Sequence, residues 1–167
     1  MKKNLSVLLL AFLLACTSNE LILKVVSIGQ LFDDIQKNNS SDLILINVWS
    51  TWCVPCIEEF PYIVDLESKY KPEDLDVIFV STDWDENSVE VQDFLLKENV
   101  FGRHYRKKEG NDQEFINELC SSWSGVLPFT VVYDRNMALI DFWEGKKDEH
   151  FFKSKIVKND VTQIIID

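Results

Sequence analysis

The chain has 167 residues, 46% hydrophobic and 27% charged, with 17 basic residues against 28 acidic ones and a formal net charge of −11. That length suits one domain with a full core. The acidic balance argues against a nucleic-acid partner, because phosphate binding draws on clustered Lys and Arg. No internal repeat or low-complexity tract divides the chain.

Met1-Lys2-Lys3 opens with positive charge, Leu5 to Leu14 is almost continuously apolar, and Ala15 precedes Cys16. A basic start, a short apolar run and a small residue before a cut describe an export signal. The run is too short for a membrane-spanning helix. A cysteine directly after the small residue resembles the lipobox of bacterial lipoproteins, with Leu14 departing from the commonest residue at its position. The organisation expected is a lipoprotein-type signal peptide over 1–15, a lipidated Cys16, a tether over 16–24 and one domain over 25–167. An ordinary signal peptide with an incidental Cys16 is the alternative. Cleavage before Cys16 would leave 152 residues, 15 of them basic and 28 acidic, with a net charge of −13. A lipid anchor holds a protein on a membrane surface without spanning it. An exported chain meets an oxidising compartment. Cys53, Cys56 and Cys120 would then remain, one pair and one odd thiol, which is not a disulfide scaffold.

Leu21-Ile22-Leu23 and Val25-Val26 read as a first strand. Ser27 to Asn38 reads as a helix with Ile28, Leu31, Phe32 and Ile35 on one face. After a polar turn, Leu43 to Val48 is apolar apart from Asn47 and rich in branched residues, as a core strand is. Ile57, Phe60, Ile63, Val64 and Leu66 then recur at helical spacing, with acids placed in the first turn and an end near Tyr70-Lys71-Pro72. Leu75 to Ser81 is a second core strand, and Thr82 to Ser88 a polar loop. Asp83, Trp84 and Asp85 would follow the carboxyl end of that strand, within reach of the site, but are read as solvated. Ser88 to Asn99 reads as a helix with Val89, Phe94, Leu95 and Leu96 inward. The basic run Arg103 to Lys108 reads as a solvated edge strand, with no base role for His104. Asn111 to Ser122 reads as a short helix, with Cys120 as a small buried side chain. Pro128 opens a strand, a position that tolerates its missing N–H. A hairpin turn at Asp134-Arg135-Asn136 leads into an antiparallel edge strand, Ala138 to Trp143, and the tail from Lys147 reads as a terminal helix. Strand–helix–strand order with short loops implies parallel strands, right-handed crossovers and a site at the strands' carboxyl ends.

Between the core strand and its helix stands Trp52-Cys53-Val54-Pro55-Cys56. Cys53 would start the helix, where free N–H groups and the positive dipole end stabilise a thiolate. A thiolate attacks disulfides, and Cys56 lies about one turn on, able to resolve the mixed disulfide. Pro55 falls near the helix start, where a missing N–H costs little. The plainer readings are a structural disulfide or half a zinc site. A zinc site needs two further ligands, and His104, His150, Cys16 and Cys120 form no ligand cluster. No metal and no cofactor are expected.

Trp49 to Cys56 resembles the active-site motif of the thioredoxin fold, and Asn47-Val48-Trp49 with Glu59-Phe60-Pro61 is similar to the TlpA/ResA-like branch of membrane-tethered, extracytoplasmic thiol-disulfide oxidoreductases. The resemblance covers about residues 25 to 145. It implies an α/β thioredoxin-like fold, a central mixed sheet flanked by helices. It also implies a cis Pro128 packed against the cysteine pair, with Trp52, Val54, Pro55, Leu127 and Pro128 meeting the substrate. Thioredoxin carries a buried Asp where this chain has Asn47. The branch instead has a glutamate three residues after its second cysteine, and Glu59 matches it, so Glu59 is a candidate base toward Cys56. Complementing the helix dipole is the alternative role for Glu59.

Strong oxidants of this fold keep an imidazole between the cysteines. Val54-Pro55 has none, and Glu58 and Glu59 are near, so the Cys53 thiolate is less stabilised and the couple more reducing. The expectation is a lipid-anchored, periplasm-facing or cell-surface reductase of disulfides in exported proteins, fed by a membrane electron donor of thiol-transfer type. Apocytochrome c is the branch's best-known substrate. The alternatives are a disulfide oxidase or isomerase, and a metal-binding chaperone, whose Cys-x-x-x-Cys spacing this chain lacks.

Overall fold

The computed structural model describes residues 22–100 and 102–164. The expected signal segment and Cys16 lie outside the described residues. Lys24–Val26 (β1), Ile28–Asn38 (α1), Leu43–Trp49 (β2), Val54–Lys69 (α2), Leu75–Ser81 (β3), Ser88–Lys97 (α3), Arg103–Lys107 (β4), Asp112–Leu119 (α4), Phe129–Asp134 (β5), Leu139–Glu144 (β6) and Glu149–Ile164 (α5) follow in order. The strands form one mixed sheet in the order β1-β4-β3-β2-β5-β6. β1, β4, β3 and β2 run parallel, and β5 and β6 are antiparallel. The α/β sheet flanked by helices is the architecture expected.

β2 is central and buried along its whole length. Side chains alternate across a strand, so the two faces build two cores. Leu43, Leu45 and Trp49 join Phe60 and Ile63 of α2, Val91 and Leu95 of α3, and Phe152 and Ile156 of α5. Ile44, Ile46 and Val48 join Leu31 and Ile35 of α1, and Phe115 and Leu119 of α4. Asn47 has the parity of the α2 face. Phe60 locks α2 down, stacking on Phe79 at 4.4 Å and meeting Trp49 at 4.8 Å. Ser27 caps α1 with a reciprocal box to Gln30.

Four sequence expectations are corrected. The run Arg103–Lys107 is no edge strand. β1 pairs outside it, and Arg106 and Lys107 are buried. Arg106 is ion-paired to Asp85 and donates to the carbonyl of Asp83 at 3.3 Å. α3 turns Val91 and Leu95 inward, while Val89 and Leu96 are exposed, because two positions set the buried face of so short a helix. The first turn of α2 holds no acid, since the helix begins at Val54 and Glu58 and Glu59 fall in its second turn. Asp83 is buried rather than solvated.

Candidate active site

β2 ends at Trp49, the chain turns through Ser50 to Trp52, and Cys53 caps the N-terminus of α2. The cap geometry follows from the sequence. A buried apolar strand delivers the chain to the sheet's carboxyl end, and Pro55 fits the first helical turn. Cys53 and Cys56 are joined as a disulfide, with Cα atoms 5.2 Å apart. The Cys56 N–H donates to Cys53 Sγ at 3.3 Å. A backbone donor and the helix N-terminus thus face the sulfur that would carry charge after reduction. Trp52 and Val54 flank the pair and are exposed.

The Leu127–Pro128 bond is cis, as the resemblance implied. Val48 pairs with Phe129, which brings Pro128 beside the turn leading from β2 to Cys53. Leu127 packs against the core cluster that contains both cysteines. Two bonds hold this segment. Trp123 Nε1 donates to the Val126 carbonyl at 2.9 Å, and the Gly145 N–H donates to the Pro128 carbonyl at 2.8 Å. Gly145 has φ +71°, a conformation that disfavours side chains.

Glu59, three residues after Cys56 on α2, is 1% exposed. Residues three apart on a helix share a face, so Glu59 follows Cys56 inward. One carboxylate oxygen accepts from Asn47 Nδ2 at 3.2 Å and the other from the Lys147 N–H at 2.8 Å. Asn47 also donates to Thr130 Oγ1 at 2.9 Å, across the β2–β5 register. Burial pushes the Glu59 carboxyl up to about 7, opposed by the two hydrogen bonds and by Lys147 and Lys146. Protonation near neutrality suits a group that takes and returns protons. Glu58 is a surface residue whose carboxylate accepts from Lys146 at 2.5 Å.

Sequence reasoning missed the clamp at Asp83. Its carboxylate accepts from the Thr51 N–H at 3.0 Å, from Thr51 Oγ1 at 2.5 Å and from Ser81 Oγ at 2.6 Å. The end of β3 therefore holds the turn that presents Cys53. A Ser-x-Asp at a strand end is the faint signal available, because one hydroxyl there can serve the other residue.

Cys120 is a free, buried thiol, and it packs in the core of the opposite sheet face from Cys53 and Cys56. His104 bonds the Gly102 carbonyl. Among the described residues no group of three or more His, Cys, Asp or Glu is arranged to hold a metal ion. Nor is any described helix long and apolar enough to cross a membrane.

The Redoxin family profile matches residues 34–145, more than half of the chain. ResA thiol-disulfide oxidoreductase of Bacillus thuringiensis is 29% identical over 115 residues, 69% of this chain and 62% of that protein. ResA of Geobacillus kaustophilus is 36% identical over 93 residues, 56% of this chain and 49% of that one. The crystal structure of a thioredoxin-related protein from Neisseria meningitidis superposes with a TM-score of 0.62 at 24% identity, covering 75% of this chain and 90% of that one. The matched region thus spans less than two thirds of these curated relatives, and the solved structure shows the fold. The chain belongs to the Redoxin family.

Two outcomes follow. Asp83→Ala leaves the Thr51 N–H and the Ser81 hydroxyl without their partner and costs about 2–3 kcal/mol in urea unfolding of the oxidised protein. A loss under about 0.5 kcal/mol, the level of a neutral surface change, would contradict the clamp. Glu59 binds its proton more tightly folded than unfolded. Its contribution is therefore full below the ordinary carboxyl pKa and is lost as pH rises through about 7. Glu59→Gln removes that loss. Between pH 4.5 and 8 the stability difference should move toward the variant by up to roughly 3 kcal/mol. Parallel pH–stability curves for the two proteins would contradict it.

Proposed function

We propose that this Redoxin-family chain is an extracytoplasmic thiol-disulfide oxidoreductase that reduces disulfides of exported proteins. The observation that carries the reading is the Cys53–Cys56 disulfide at the N-terminus of α2, with Glu59 buried three residues after Cys56. The ResA names of its relatives support the activity.

The reaction runs from the reduced pair. The Cys53 thiolate attacks one sulfur of the substrate disulfide, forming a mixed disulfide and releasing the first substrate thiolate. Cys56 loses its proton to Glu59 and attacks Cys53 Sγ. The Cys53–Cys56 bond forms, the mixed disulfide breaks, and the second substrate thiolate leaves. The substrate gains two electrons and the cysteine pair loses them. The structure holds this oxidised end state. Leu127 and Pro128, with Trp52, Val54 and Pro55, form the surface that receives the substrate backbone.

Return to the dithiol requires a donor of electrons by thiol exchange. In an oxidising compartment that donor sits in the membrane, and Cys16 as a lipid attachment site would hold the domain near it. A signal peptide over 1–15 and a tether over 16–24 complete this arrangement. Val54-Pro55 supplies no imidazole to stabilise the thiolate, which favours the reducing direction. Cytochrome c maturation, before haem attachment, is one setting that needs such a reductase.

The cysteine variants test the reading. Cys53→Ser should abolish reduction of a protein disulfide, and Cys56→Ala should accumulate a covalent adduct with substrate, seen by non-reducing electrophoresis and mass spectrometry. Adduct formation through Cys56 in Cys53→Ser, at the wild-type rate, would overturn the assignment.

A further inference from the structure

A cavity of about 480 Å³ lies beside the cysteine pair. Trp52, next to Cys53 in the chain, Leu127 and Trp84 line it. Both indoles are largely solvent-exposed, 68% for Trp52 and 66% for Trp84. Phe115 and Trp123 from the neighbouring core also line it. The two exposed indoles offer contact area to a side chain arriving with the substrate.

Its charge is one-sided. Asp83, Glu86, Glu109 and Asp112 line it against one base, Lys107. Lys107 Nζ is already engaged, donating to Asp112 Oδ1 at 2.5 Å and to the carbonyls of Lys108 and Gly110 at 3.0 and 3.5 Å. The Asp83 carboxylate is spent on Thr51 and Ser81. Arg106, whose guanidinium donates to the Asp83 carbonyl, pairs with Asp85. Among the described residues Glu109 accepts the neutral Asp85 N–H, at 2.6 Å, and has no cationic partner. Glu86 has no cationic partner among the described residues. Two uncompensated carboxylates therefore stand beside exposed indole faces.

That combination recognises a cation on an apolar stem. A Lys or Arg side chain lays its methylenes on the indoles, gains from their negative faces and ends at the carboxylates. A neutral apolar side chain would leave the carboxylates unmatched, and an acidic one would be repelled. We propose that this groove takes a Lys or Arg side chain of the substrate, close in sequence to the cysteine that Cys53 attacks. The inference rests on the oxidoreductase reading of the pair, and it names the class of segment preferred.

The test uses the reduced protein and two peptide disulfides that are identical except for Lys or Glu on both sides of the cysteine. Rates are taken by stopped flow, each relative to the rate with 2-hydroxyethyl disulfide. The Lys peptide should react about tenfold faster than the Glu peptide at low salt, and the preference should shrink as salt is raised. Glu86→Gln with Glu109→Gln should bring the two rates within about twofold, and Trp84→Ala should slow the Lys peptide. Asp33→Asn with Glu73→Gln removes the same charge from exposed positions outside the groove and should keep the wild-type preference. Equal loss in both double variants would show only the field of the whole acidic chain and would overturn the groove. Equal peptide rates in a wild type that still reacts with 2-hydroxyethyl disulfide would overturn the groove and leave the oxidoreductase reading standing. No exchange with any of the three disulfides would overturn both.

Discussion

A carboxyl group buried one turn beyond a cysteine pair must hold a proton or find donors, and the residues around Glu59 meet that demand. Glu59 has little contact with water, so its charge is costly. Asn47 on β2 and the Lys147 N–H at the approach to α5 partly offset the cost. Asn47 in turn reaches Thr130 on β5. One carboxylate thereby ties the active-site helix to two strands and to the segment before the last helix. The balance leaves the Glu59 carboxyl raised to about 7, close to neutrality.

The rest of the site is placed from the same end of the sheet. β2 delivers Cys53 to the start of α2, β3 delivers Asp83 to the preceding turn, and β5 begins just after the cis Leu127–Pro128 bond. Parallel strands bring their carboxyl ends to one edge, and β5, running antiparallel, brings its amino end there. The Cys53–Cys56 disulfide thus lies by the ends of three neighbouring strands. The cavity lined by Trp52 and Trp84 also takes residues from the loops after β3 and β4.

Much of this was legible in the sequence, because its signals are local. The apolar run of β2, the spacing of Cys53 and Cys56, and the helical repeat through Phe60 and Ile63 are each short-range patterns. The resemblance added what spacing does not show, namely Glu59 and the cis Pro128. What escaped was set by distant pairings. β1 covers β4 through contacts such as Lys24 with Tyr105, so a basic run that looks like a solvated edge becomes an interior strand. Asp83 sits in a polar loop, and the Thr51 group that buries it arrives from another part of the chain. Val89 and Leu96 are apolar residues of an amphipathic helix, yet the phase set by Val91 and Leu95 turns them to solvent.

The proposed reduction of substrate disulfides requires this cysteine pair to be a reducing couple. Its most direct test is the reduction potential of Cys53–Cys56, found by equilibrating the protein in glutathione or dithiothreitol buffers and counting free thiols. A reductase gives a value near or below about −270 mV, that of thioredoxin. A value near about −120 mV, that of a strong disulfide donor, would contradict the proposal.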